Sequence, residues 1–154
     1  MIFIKLFNVL NIIVTNRSVV LVNFIVPHMI VEYSANLENR IDIDALCDSL
    51  WRALKANPIF PLGGIRVRAY KAEIYRIADC VPENAFIALT LRIGAGRTKQ
   101  QITDAGNKIF VVASEFCAEL FKEPNFALSF EINEINENAS WKKNSIHSRL
   151  KNNA

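Results

Sequence analysis

Histidine and cysteine are both scarce in this chain, and neither is grouped. His28 and His147 are the only histidines in 154 residues, too few for a histidine-based metal cluster unless carboxylates or a second subunit help. Cys47, Cys80 and Cys117 stand far apart with no CxxC pair. That spacing argues against a disulfide framework or a zinc site and for buried, reduced thiols in a cytoplasmic protein. A basic field is missing too. Residues 1–26 hold Lys5, Arg17 and no acidic side chain, so the rest carries 16 Lys/Arg against 15 Asp/Glu. A balance of +1 is not the footprint of a nucleic-acid-binding surface.

Nor is there an unbroken hydrophobic run. MIFIKLFNVLNIIVTNRSVVLVNFIV (1–26) is apolar but interrupted by Lys5, Asn8, Asn11, Asn16, Arg17 and Asn23. A membrane span wants about 20 predominantly apolar residues, and an arginine in mid-span costs ~2.5–3.5 kcal/mol on insertion. The segment also lacks the small-x-small cleavage site of a signal peptide. It is a poor targeting element.

What is present is the composition of one globular domain, 51% hydrophobic and 21% charged. From Pro27 onward, strand and helix patterns alternate twice. HMIVEY (28–33) is a strand with Met29, Val31 and Tyr33 on one side. Asp42 caps a helix with apolar positions Ile43, Leu46, Leu50 and Leu54, ended by Asn57-Pro58. IFPLGG (59–64) is a turn-rich loop before the strand IRVRAY (65–70). AFIALTLRI (85–93) is the next strand, and Thr98-x-x-Gln101 has the form of a capping box. The helix after it carries the stripe Ile102, Ala105, Ile109, Val112, Phe116 and Leu120, stopped by Pro124-Asn125. ALSFEI (127–132) is the last strand. Two strand–helix–strand units argue for parallel βαβ pairs in a four-stranded sheet with helices on one face. The other face, with Arg66, Arg68 and Thr90, needs cover, which sheets packed around an oligomer axis would supply. In the tail, Trp141, Ile146 and Leu150 read either as clips onto a neighbour or as part of a frayed end, and His147 as a surface residue.

Pro27 is the anomaly, an imino acid with strand-like sequence on both sides. Proline cannot donate to a ladder and is comfortable only at an edge, a bulge or the start of a strand. GAGRT (94–98) matches neither GxxxxGK[ST] nor GxGxxG, so nucleotide binding is not supported. It reads instead as a sharp turn into a helix amino end, with Arg97 beside it. Arg66 follows Gly63-Gly64 as Arg97 follows Gly94 and Gly96. Two planar guanidinium forks suit a substrate with two carboxylates. The competing reading of each is an exposed structural arginine.

PHMIVEYS (27–34), IFPLGGIRVR (59–68), LRIGAGRT (91–98) and ALSFEINEI (127–135), in that order, resemble the 5-carboxymethyl-2-hydroxymuconate isomerase family of the tautomerase superfamily. The resemblance runs over essentially all of 27–154. It implies an α/β fold of tandem βαβ units forming a four-stranded sheet with two helices on one face. It also implies assembly as a homotrimer with sites near subunit boundaries. Neither metal nor cofactor is implied, and no membrane or nucleic-acid partner. The family's catalytic proline, the first residue after the initiator Met, falls on Pro27, and its two functional arginines fall on Arg66 and Arg97. The implied reaction is the proton-shift tautomerisation of an unsaturated 2-hydroxy acid with two or three carboxylates, from aromatic-compound catabolism. Pro27 would serve as base and acid, and Arg66 and Arg97 would bind the carboxylates.

In this chain Val26 precedes Pro27, whose nitrogen is then a tertiary amide without a basic lone pair. GTG encodes valine internally but serves as a bacterial start codon, read there as Met. The expectation is therefore that 1–26 is an upstream extension from a mis-assigned start, and 27–154 a single domain with tail 136–154. The alternatives are another tautomerase-superfamily activity, a non-catalytic trimeric binder of aromatic-derived acids with a blocked proline, or a chain tethered to a membrane by residues 1–26.

Overall fold

A period-two alternation of apolar side chains puts Met29, Val31 and Tyr33 on one face of a strand, and all three are buried there. The structure, a computed structural model, describes residues 12–15, 18–21 and 26–152, with side chains described for 26–150. Its strands are β1 (Ile12–Thr15), β2 (Ser18–Leu21), β3 (His28–Ser34), β4 (Arg66–Ala72), β5 (Ala85–Gly94) and β6 (Phe126–Ile135). The helices are α1 (Ile43–Ala56), α2 (Lys99–Phe116) and α3 (Ile146–Asn152). Most of segment 1–26, which carries the expectation about the start site, lies outside the described residues. Within that segment β1 and β2 pair with each other, antiparallel.

The main sheet has the order β4-β3-β5-β6. β3 runs parallel to β4 and β5 parallel to β6, while the two central strands, β3 and β5, are antiparallel. Two right-sized βαβ units are thus joined back to back, as the alternation predicts. α1 begins where Asp42 accepts a hydrogen bond from the Ala45 N–H. α2 begins at a complete capping box, with Thr98 Oγ1 accepting from Gln101 N and Gln101 Oε1 from Thr98 N. Leu46, Leu50 and Leu54 are fully buried against Met29, Val31, Ile87, Leu89 and Leu91. Each such leucine contributes about 1.5–3 kcal/mol by leaving water.

The second helix departs from the predicted stripe. It ends at Phe116, and Leu120 lies in a separate short turn, Leu120–Lys122, though still buried. The buried line runs along Ala105, Ile109, Ala113 and Cys117, at steps of four; Ile102 and Phe116 pack against it as expected, and Val112 is the stripe position left half-buried outside the core. Next to Ala105 the helix lies close to the sheet, where a Cβ on Gly106 would come within 3.2 Å of Ile132 Cδ1.

The antiparallel centre gives both units one common end of the sheet. The first residues of β3 and β4 and the last residues of β5 and β6 all sit at one end of the sheet. On the face away from the helices, Arg66, His28, Arg92 and Asn133 form a single row across the four strands.

Candidate active site

Pro27 precedes β3, so its missing N–H removes no rung from the ladder, and its carbonyl accepts from Arg66 N at 3.0 Å. The side chain is fully buried. The turn Leu62–Gly64 lies against it so closely that a Cβ on Gly64 would come within 3.0 Å of Val26 Cα and 3.1 Å of Pro27 Cδ. A side chain at 64 would make Val26 or Pro27 give way by a few tenths of an ångström.

Beside Pro27, a cavity of about 290 Å³ opens at the end of the sheet. Val26, His28, Arg66 and Arg92 form its sheet side, and Ile135 with the tail residues Ser140 to Asn144 forms the other. Val26 is the residue that acylates the Pro27 nitrogen. Arg66 points its Nη1 at His28 Nε2, 2.7 Å away. A guanidinium can only donate, so Nε2 is the acceptor and the imidazole is neutral with its proton on Nδ1. The electrostatics agree. Burial lowers the His28 pKa below its ordinary value, and the charges of Arg66, Arg68, Arg92 and Lys142 lower it further.

Arg97 is placed differently. Within one chain it does not line this cavity. Its Nη1 donates to Gly94 O at 2.9 Å and its Nη2 to Ile59 O at 2.8 Å, tying the β5–α2 turn to the loop that abuts Pro27. The guanidinium lies 5.6 Å from the Phe60 ring centroid, and its Nε is buried without a hydrogen-bond partner. Burial lowers its pKa and Glu134 opposes the shift. Arg66 thus lines the cavity together with Val26 and His28, the two neighbours of the buried Pro27, while Arg97 braces the loop from another side.

The tail folds onto its own chain. Asn144 Nδ2 donates to Gly63 O at 3.0 Å, and the His147 ring packs where a Cβ on Gly63 would come within 2.6 Å of Nδ1. His147 is half-buried there instead of lying free on the surface. Sequence reasoning missed Arg92, Lys142 and Lys143 as cavity residues. For Arg92 a signal existed, since it alternates out of the buried set Leu89, Leu91 and Ile93; for the lysines there was none. Among the described residues no group of three or more His, Cys, Asp or Glu side chains gathers as a metal site, and no helix is long and apolar enough to cross a membrane.

Paired βαβ units sharing a four-stranded mixed sheet with two main helices define a tautomerase-like fold. A sequence model of 5-carboxymethyl-2-hydroxymuconate isomerase matches residues 27–150, and the chain belongs to that enzyme family. It is 36% identical over 125 residues to the 5-carboxymethyl-2-hydroxymuconate Delta-isomerase of Escherichia coli, covering 81% of this chain and 99% of that protein. The crystal structure of a 5-carboxymethyl-2-hydroxymuconate isomerase from Deinococcus radiodurans R1 matches with a TM-score of 0.76 and 42% identity, over 80% of this chain and 93% of that one. A crystal structure of 5-carboxymethyl-2-hydroxymuconate delta-isomerase gives 0.75 and 31%, over 81% and 93%.

Proposed function

We propose that this protein is a cytoplasmic, homotrimeric isomerase that tautomerises 5-carboxymethyl-2-hydroxymuconate or a close unsaturated 2-hydroxy acid, with Pro27 as base and acid. The observation that carries this reading is the position of Val26. It lines the cavity and is bonded to the Pro27 nitrogen, so a chain beginning at Pro27 presents a free secondary amine to the space that Arg66 faces. The family match opens at the same residue, and 125 residues of this chain suffice to cover the E. coli relative almost end to end. Both support assigning 1–26 to an upstream extension.

A free α-amino group titrates at about 7.7–8.0. The neighbouring arginines and partial burial disfavour its protonated form and draw it toward neutrality. The amine takes the proton of the 2-hydroxyl, giving a dienolate, and its conjugate acid returns that proton to a carbon of the conjugated chain. Substrate and product are isomers, so nothing else is consumed. Proton transfer of this kind contributes ~10²–10⁴-fold. Arg66 stabilises the developing oxyanion or a carboxylate, and Arg97 binds a second carboxylate at a site completed by a neighbouring subunit. Trimer packing would also cover the sheet face that carries Arg68, Thr90 and the half-exposed Tyr70.

The test is the amino-terminal sequence of protein purified from its native host, together with turnover. A start at Pro-His-Met-Ile, with turnover lost in Pro27→Ala, is the expected result. A start at Met1 with turnover intact would overturn the mechanism. A second reading, a binder of such acids, is favoured by one observation: in the 154-residue chain the proline nitrogen is acylated and the side chain fully buried.

A further inference from the structure

Four cations face the cavity beside Pro27: Arg66 from β4, Arg92 from β5, and Lys142 and Lys143 from the tail. No Asp or Glu lines it, and among the described residues none of the four takes part in an ion pair. Elsewhere Arg40, Arg52, Lys71 and Lys122 each have a carboxylate within 3.1 Å. Like charges gathered around a small volume repel one another, and a bound anion relieves that repulsion. The nearby histidine adds no charge, because Arg66 holds it in its neutral form.

The two sides of this cavity do different work. Arg66 is paired with and tied to His28, its backbone N–H donating to the Pro27 carbonyl, whereas Arg92 lies on the far side of His28 in the same row. The lysines arrive on a segment fixed by Asn144 on Gly63, so their position is set by the fold of the tail and not by the sheet. A volume of about 290 Å³ is at the small end for a ligand pocket, which suits a compact organic acid. We propose that Arg92 and Lys142 form an additional carboxylate subsite, separate from Arg66 and Arg97, that selects acids carrying a third carboxylate. This rests on the isomerase reading for its biological role but not for its binding chemistry.

The probe is propane-1,2,3-tricarboxylate, which cannot tautomerise, titrated calorimetrically into the full 154-residue chain at low salt, with succinate as comparator. The tricarboxylate should bind more tightly than succinate. The double variant Arg92→Ser/Lys142→Ser should weaken it about tenfold or more, flatten its salt dependence and affect succinate less. Both positions are exposed, and unchanged circular dichroism would show that the variant folds. Absence of tricarboxylate binding, or equal affinity in the variant, would overturn the subsite. In the chain starting at Pro27, the same variant should raise KM for a tricarboxylate far more than it lowers kcat. Failure of the Pro27 chemistry would leave the calorimetric result untouched, so the two ideas fail separately.

Discussion

Arg66 and His28 occupy paired positions on adjacent parallel strands, and the guanidinium donates to the imidazole Nε2 at 2.7 Å. The bond exists only while His28 is neutral. Burial lowers the His28 pKa below 6.5, and the charged groups that act on it, Arg66, Arg68, Arg92 and Lys142, are all cationic and lower it further. Folding thus lowers this pKa, and the unfolded chain binds more protons in the window between the folded value and 6.5. Stability is flat above that window and falls as pH drops through it. KM should shift in the same window, because protonated His28 both releases Arg66 and adds a charge to the cavity. His28→Gln, which keeps an acceptor that does not titrate, should remove the step. The pH profiles of KM and of the urea midpoint between about 5 and about 8 check this; an unchanged step in the variant would assign it to another group.

Arg97 spans two carbonyls, Gly94 O and Ile59 O, with its two terminal nitrogens. Lysine keeps the charge but cannot reproduce the fork. Arg97→Lys should therefore loosen the 59–64 loop against Pro27. Turnover is expected to fall ~10²-fold, the scale of a misplaced catalytic group. Hydrogen exchange across residues 59–65, compared with kcat, would reveal whether the loop and the rate change together. A rate loss with no change in loop protection would assign Arg97 to substrate contact alone.

Gly63 and His147 share space that a methyl group would fill, with Nδ1 lying 2.6 Å from the position of a Cβ. In Gly63→Ala the ring must swing away, because the turn is backbone and the imidazole is a side chain. The cost should be about 1 kcal/mol, the low end for overpacking. Protease cleavage within residues 136–150 should become faster. Adding His147→Ala should recover part of the loss in a double-mutant cycle; strict additivity would show that the two do not interact.

Leu50 is completely buried where α1 meets the sheet. Leu50→Ala should cost ~2–5 kcal/mol. It should leave KM unchanged at temperatures where the variant is folded, since the core cluster around it shares no residue with the cavity lining. Thermal unfolding followed beside substrate kinetics separates the two effects.

Much of the fold is legible in local pattern. The alternation in HMIVEY and AFIALTLRI assigns the buried faces of β3 and β5 correctly, and the Asp42 and Thr98 caps mark both main helix starts. Where the stripe of α2 was misread, the error is also local: Val112 and Ala113 both satisfy helical spacing, and only the packing of the helix decides which is buried. The motif around Pro27 and the glycine-arginine turns are legible as a resemblance. Their physical arrangement is not.

By itself the sequence determined two βαβ units, which faces they bury, and where proline can stand without breaking a ladder. These follow from interactions within a few residues, whose periodicity survives in one dimension. Only the tertiary structure decided that β3 and β5 run antiparallel, which brings both ends of the chain's motifs to one edge of the sheet. It alone placed Arg97 on the Ile59 carbonyl, Asn144 on Gly63, and Arg92 and Lys142 on one cavity. Those approaches join residues tens of positions apart, and they are fixed by how the two units share a core, a non-local packing solution that no short window of sequence contains.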